Sequence, residues 1–544
     1  MKKNNKIYGS FSRIFSVFII LILAAVIISA VHHRINQSQK PTSESMSFHS
    51  IYDEYIKKSI DKMTETDSEA ETYVNGADND SSNNINASDT IKVLISNDGK
   101  YYHDNVRLTC DTDFSVTYGD KTVCYGAGDV VDVESDIVIE PNQPEGKIQV
   151  LNIEKNGETP AYRGRIYITA YGNAEQPSYT IINELPLEEY LYSVVSSEMP
   201  SSFDKEALKA QAVCARGFAI RKINEGAYAE YGADIDDTTS CQVYNNIAET
   251  EESINAVNET SGMVAEYDGE IIESYFYSTS CGTTCSNDEV WAGESLPYLV
   301  DSLEVYADSI NTNSDIEKNV MSYNNSRLLS AQEISLSSES AFQDFIDNRL
   351  YTDTVEQKLP MYRWTVEYTS EQMAETVNTA LKKIITSNAD QIEAFYKDNE
   401  SNVSDITSLL QNDTLATYLD DIENISVTSR GNSGIALTVT IYCSNIDITV
   451  SSQYLIRQLF SPELTDIITQ TGSSLTGWTM LPSAYFYIEK NEAGGYTISG
   501  GGFGHGVGMS QNGANQLAAA GYGYKDILQY YFPGIEVEEK TSLQ

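Results

Sequence analysis

The sequence predicts an α+β fold, a strand-rich N-terminal extracellular part packed on a mixed α/β core, behind a single N-terminal transmembrane helix. Three observations carry this. An almost wholly apolar run opens the chain. Short alternating or clustered apolar segments between turn signals follow as far as about Asn183, and beyond that helical spacing and strand-like runs alternate. The expected organisation is a cytoplasmic tail at 1–13, an anchor at 14–31, a disordered stalk at 32–90, a β-rich domain at 91–183 and a core at 184–540 with a helical insertion near 370–412.

Each element has its signal. Ile14 to Val31 is long enough to cross a bilayer, for which roughly 18 to 20 apolar residues suffice. Lys2, Lys3, Lys6 and Arg13 precede it, which puts the tail in the cytoplasm and the bulk of the chain outside, on a single-pass cell-membrane protein. A signal peptide cleaved near Ala30 is the alternative. The stalk is rich in Ser, Asn, Asp and Glu, which cannot bury enough apolar surface to order it. Ile91-Lys-Val-Leu-Ile-Ser, Val116-Thr-Tyr, Val130-Val-Asp-Val, Ile137-Val-Ile and Ile148-Gln-Val-Leu read as strands. Leu187, Leu191, Val194 and Val195 recur at helical spacing before Pro200. A second helix, Phe203 to Glu225, has acidic residues in its first turn and Gly226 after its last. Its face of Leu208, Ala212, Ala215 and Ala219 is small enough for close packing on the first. Ile271 to Tyr277 reads as a strand. Thr369 and Gln372 form a capping box for the insertion, with Met373, Val377, Leu381 and Ile384 on one face. Strands return at Ile425, Ile435 and Ala484, and a Gly-rich loop with two short helices follows.

Charge and cysteines narrow the function. With 79 acidic against 35 basic residues the net charge is -44, which excludes electrostatic binding of nucleic acid or anionic lipid. A glycan partner would be held by hydrogen bonds and aromatic stacking, for which 37 Tyr residues are available. Of seven Cys, at least one stays unpaired if the others form disulfides. Cys110 and Cys124 lie in one strand-rich region and could pair, whereas Cys214 and Cys443 read as buried small hydrophobes.

Two places invite chemistry. Glu198 ends an apolar helix, where the negative end of the helix dipole and burial both disfavour its ionised form. A carboxyl group so placed is a candidate general acid, and glycosidic bond cleavage is the reaction class that most often uses one. The plainer reading is a solvated helix-end glutamate. The loop Gly500-Gly-Gly-Phe-Gly-His505-Gly-Val-Gly-Met-Ser-Gln-Asn-Gly513 lacks the Gly-Lys-Ser/Thr ending of a phosphate loop. His505, flanked by glycines, is either a structural hydrogen bonder or a ligand contact in the same cleft as Glu198.

Leu185-Pro-Leu-Glu-Glu-Tyr-Leu, Ser197-Glu-Met-Pro200, Glu206-Ala-Leu-Lys-Ala-Gln-Ala-Val-Cys-Ala-Arg216, Cys241-Gln-Val-Tyr244, Tyr275-Phe-Tyr-Ser-Thr-Ser280, Tyr362-Arg-Trp-Thr365 and Gly504-His-Gly-Val-Gly-Met-Ser-Gln511 occur in the order found in one family. Over about residues 91 to 537 the chain resembles the stage II sporulation protein D family, which includes the amidase-enhancer proteins of Gram-positive cell walls. The insertion between Tyr368 and Ile425, and the loop at Cys281 and Cys285, depart from the family pattern. The resemblance implies a peptidoglycan lytic transglycosylase that cuts the MurNAc-GlcNAc bond with a 1,6-anhydro product, in wall remodelling during sporulation. The alternative is a non-enzymatic amidase enhancer that binds wall glycan or a partner amidase. Glu198 corresponds to the family's catalytic glutamate. Arg216, Tyr275, Ser278, Ser280, His505 and Gln511 would hold the glycan. Some relatives bind zinc near the Cys-Gln motif; here Cys241, Cys281 and Cys285 would form either a zinc site or a disulfide.

Overall fold

The computed structural model describes residues 90–540, apart from 98, 174–175, 292, 304–328, 331–334 and 349–353. The tail, the anchor and all of the stalk but Thr90 lie outside the described residues. Among those described, no helix is long and apolar enough to cross a membrane.

The architecture is mixed α+β. Thr90–Leu94 (β1), Phe114–Tyr118 (β2), Lys121–Tyr125 (β3), Ile137–Pro141 (β4), Arg165–Asn173 (β5), Gln176–Pro186 (β6) and Ile235–Asp236 (β7) form one sheet in the order β7-β1-β6-β5-β4-β2-β3. Its pairs are antiparallel except β1 with β7. Ile91 and Val93, then Ile137 and Ile139, point to the buried face, as period-two alternation requires. A four-stranded sheet of Arg107–Cys110, Val131–Asp132, Ile148–Val150 and Ala161–Tyr162 accompanies it. Cys110 is buried in that smaller sheet, while Cys124 is exposed on β3 opposite Ser115. Both thiols are free, so the disulfide expected between them is absent.

Among the helices of the described residues are Leu187–Glu198 (α1), Lys205–Glu225 (α2), Glu251–Glu259 (α3), Ser370–Ser387 (α4), Gln511–Ala519 (α5) and Tyr524–Tyr531 (α6). Asp204 caps α2 by accepting from the Glu206 N–H at 2.9 Å, and Gly226 ends it in the left-handed conformation. Ala207, Ala210, Ala212, Ala215 and Ala219 are wholly buried, because α2 is the helix on which α1, α3, α5 and α6 all pack. Small side chains permit that crowding.

The insertion only begins as expected. α4 carries the capping box at Thr369 and Gln372 and buries Met373, Val377, Leu381 and Ile384. Ile392–Tyr396 then forms a strand rather than more helix, since buried Ile392 and Ala394 alternate with exposed Glu393 and Phe395. It joins a five-stranded sheet with Ser401–Asn402, Ile446–Ser451, Ala436–Cys443 and Ile422–Arg430. The strand expected over 271–277 is also interrupted: Phe276–Tyr277 (β8) pairs in parallel with Met509–Ser510 (β9), which fixes the Gly-rich loop against the middle of the chain. Glu536–Glu539, a strand not expected from sequence, pairs with Met263–Tyr267.

Candidate active site around Glu198

α1 ends at Glu198 because Met199, held extended before Pro200, leaves the helical conformation. Its apolar face, Leu187, Tyr190, Leu191, Val194 and Val195, is buried, and Glu198 itself is 9% exposed. The carboxyl group is oriented by the backbone. Glu198 Oε1 accepts from the Val243 N–H at 2.7 Å. That amide is aimed by Gln242, which accepts from the Tyr190 hydroxyl at 3.1 Å and donates to the Ala215 carbonyl at 3.2 Å, bridging α1 and α2. Next door, Ser197 donates to the Ile247 carbonyl and accepts from the Ile247 N–H. From the far end of the chain, Gln511 Nε2 donates to the Glu198 carbonyl at 2.9 Å. Three stretches distant in sequence therefore meet at this residue.

The Gly-rich loop lies along Tyr275 to Cys285, and its glycines serve that contact. Gly508 has φ +78°, and a Cβ there would fall on the Tyr275 carbonyl oxygen; one at Gly504 would strike the Tyr277 Cβ. The close approach expected toward a ligand is thus made, at these two positions, toward the protein's own chain. The His505 ring packs on Trp291 at 5.0 Å, Tyr277 at 5.7 Å and Tyr275 at 6.5 Å, between ring centroids. Its Nδ1 accepts from the Val507 N–H at 3.1 Å. Burial and the nearby Arg457 charge push its pKa down to about 4, against a backbone hydrogen bond to Phe276, so the ring is neutral at neutral pH.

Other expected glycan contacts are engaged inside the fold. Arg216, 1% exposed, makes paired 2.7 Å bonds to Glu188 and donates to the Met263 and Val257 carbonyls. Glu188 lies in the first turn of α1 and Glu198 ends it, about 15 Å apart at the rise of an α-helix. A buried guanidinium needs such partners, which explains why Arg216 is a scaffold residue here. Ser280 is likewise buried: its N–H donates to Glu356 at 2.6 Å and its hydroxyl to the Thr283 carbonyl at 3.3 Å. The Ser278 carbonyl accepts two 3.0 Å bonds from Asn512, which tie this loop to α5. Tyr275 packs at a tilt of 43° against Trp291, with 4.6 Å between ring centroids.

The three thiols do not form one site. Cys241 donates to the Tyr228 hydroxyl at 3.6 Å, and burial, then the Asp236 charge, pushes its pKa up to about 11. Cys285 instead bonds Glu289 and Ser433. No disulfide joins any of the seven cysteines, so the disulfide alternative is not formed. Among the described residues the one set of three metal-capable groups is Cys285, Glu289 and Asp301, so the residues around Cys241 do not fit the zinc that the resemblance implies. Cys241 sits just after β7, whereas the 281–285 loop lies along the glycines.

Two residues escaped the sequence reading. Trp291 is 38% exposed and completes the aromatic group around His505; as one of three Trp, just beyond the Cys loop, it offered a signal. Glu356, 0% exposed, accepts from the Ser280 N–H and from the Ser510 hydroxyl, joining the 278–280 loop to the start of α5. It lies in a polar stretch that gave no signal.

A family model described as "Stage II sporulation protein" matches residues 175–267, which hold α1, α2 and the Cys241–Tyr244 segment. Over this stretch the chain is similar to the stage II sporulation protein D family. Stage II sporulation protein D of Bacillus subtilis is 26% identical over 388 residues, 69% of this chain and 79% of that protein. The protein of the same name from Bacillus amyloliquefaciens is 26% identical over 375 residues, 66% and 76% of the two chains. The amidase enhancer of Bacillus subtilis is 28% identical over 346 residues, 63% of this chain but only 39% of the enhancer. A model for a domain of unknown function matches 285–396 and 381–508. The sporulation-protein match thus covers Glu198 and its Val243 partner, while His505 falls in the second model.

Proposed function

We propose that this chain is a member of the stage II sporulation protein D family and a lytic transglycosylase of peptidoglycan, cutting the MurNAc-GlcNAc bond with a 1,6-anhydro product in sporulation-linked wall remodelling. The observation that supports this is the convergence on Glu198, whose carboxyl group is oriented by the Val243 N–H and whose carbonyl is held by Gln511. One carboxyl group suffices for the chemistry. Glu198 gives its proton to the leaving glycosidic oxygen, then as carboxylate accepts the proton of the sugar's 6-hydroxyl as that oxygen attacks the anomeric carbon. No second carboxylate acts as nucleophile, unlike an ordinary retaining hydrolase. Trp291, Tyr275 and neutral His505 offer an aromatic face for a sugar ring. In this reading the span at 14–31 anchors the protein in the cell membrane with the bulk outside.

A non-enzymatic amidase enhancer is the second reading. It is supported by the likeness to a protein of that name, and by the burial of Glu198, whose bond to Val243 would equally serve a binding module. Glu198→Gln separates the two, because Gln keeps an acceptor for the Val243 N–H and loses only the transferable proton. On sacculi with and without stem peptides, the wild type should release anhydro-sugars and the variant none, at an unchanged melting temperature. Undiminished release by the variant would remove Glu198 as the acid. No release by either, with equal stimulation of a purified wall amidase, would favour the enhancer.

A further inference from the structure

The loop that follows Ser280 gathers a thiol and two carboxylates that the proposed chemistry does not use. Ligand atoms of Cys285, Glu289 and Asp301 all lie within 4.8 Å of one another. Cys285 is fully buried and the two acids are partly so. The Cys285 thiol donates to Glu289 Oε2 at 3.3 Å. Backbone N–H groups of Asn432 and Ser433 orient Glu289, and the Ser286 N–H orients Asp301 at 2.7 Å. Outer hydrogen bonds of this kind fix metal ligands in place. A separate observation points the same way. Tyr485 is 2% exposed, and its hydroxyl lies beside the Cys285 thiol and Ser433 without a well-formed hydrogen bond. Buried hydroxyls are rarely left so.

We propose that Cys285, Glu289 and Asp301 bind a thiophilic divalent cation of the zinc class, with water completing the coordination. A thiolate selects such ions over magnesium or calcium. Bond lengths of about 2.3 Å to sulfur and 2.0–2.2 Å to oxygen draw tetrahedral ligands to roughly 3.5 Å apart, a contraction of up to about 1.3 Å from the 4.8 Å limit. Binding releases the Cys285 proton, and that of either carboxyl group carrying one, to solvent. The ion would join the segment leading to Trp291 to the Gly431–Gly434 loop, stiffening one wall of the aromatic group.

The test is a cobalt(II) titration of the chelator-stripped full chain, followed by zinc competition. One equivalent should give a thiolate-to-cobalt charge-transfer band that zinc removes. Cys285→Ser should abolish the band, Asp301→Asn and Glu289→Gln should weaken binding at least about tenfold, and Cys241→Ser should leave it intact. No saturable band in the wild type, a band that survives Cys285→Ser, or one lost in folded Cys241→Ser would overturn the proposal. Should Cys285→Ser fail to fold, the two carboxylate variants decide, and unchanged affinity in both refutes the site.

Discussion

Arg216 shows what a side chain's type leaves open. An arginine at the end of a shared motif can hold a substrate or hold the protein, and only its surroundings choose. Here Glu188 and two carbonyls replace its water. Arg216→Ala would leave Glu188 without its partner, so denaturant melts should show a loss of about 3–5 kcal/mol with turnover per folded molecule unchanged. Unchanged stability with weaker glycan binding would return Arg216 to the site. His505 makes a pH signature. Its pKa falls from 6.5 to about 4 in the fold, so between those values the unfolded chain binds the extra proton. The stability contributed by keeping the ring neutral is present above pH 6.5 and lost as pH falls toward 4. Melts across that window should show a shallower loss for His505→Gln than for the wild type; equal slopes would count against a buried neutral imidazole. Glu198 was legible because helical spacing and Pro200 fix where α1 stops. Ser280, Glu356 and Arg216 were not, because polarity alone does not say whether the partner is solvent, substrate or interior.

Elements were legible where one period dominates. The apolar spacing of α1, the caps of α2 and α4, and the alternation in β1 and β4 each determine a local structure that packing then keeps. Ile392–Tyr396 was hidden because a strand of five residues follows a helix without a proline or glycine between them. The parallel pairing of β8 with β9 was hidden for another reason: two-residue strands carry no period, and their partners are set by tertiary contact. The Gly-rich loop is the element that seats β9. Gly508→Ala would demand a left-handed alanine and push its Cβ onto the Tyr275 carbonyl. We expect a stability loss of at least about 2 kcal/mol by thermal or denaturant melts, with Gln511 displaced from Glu198 and activity reduced beyond the folded fraction. A variant as stable and active as the wild type would show that the loop tolerates another path.

At the scale of the whole molecule, composition spoke about partners and little about topology. A net charge of -44 excludes polyanion binding by attraction, yet it does not say that β7 would come from beyond α2 to edge the N-terminal sheet. That arrangement makes the strand-rich part and the helical core one continuous structure, as does the return of Glu536–Glu539 to Met263–Tyr267. The bond from Gln511 to Glu198 closes over 313 positions. Contacts of such separation form late, after the entropy of closing the intervening chain has been overcome. A ribosome delivers Glu198 long before Gln511, so during synthesis this carboxyl group is present while the amide that holds its carbonyl is still missing. The backbone end of α1 at Glu198 therefore gains its last hydrogen bond only once residue 511 has been made, so the site around this carboxyl group is assembled at the close of synthesis and not before.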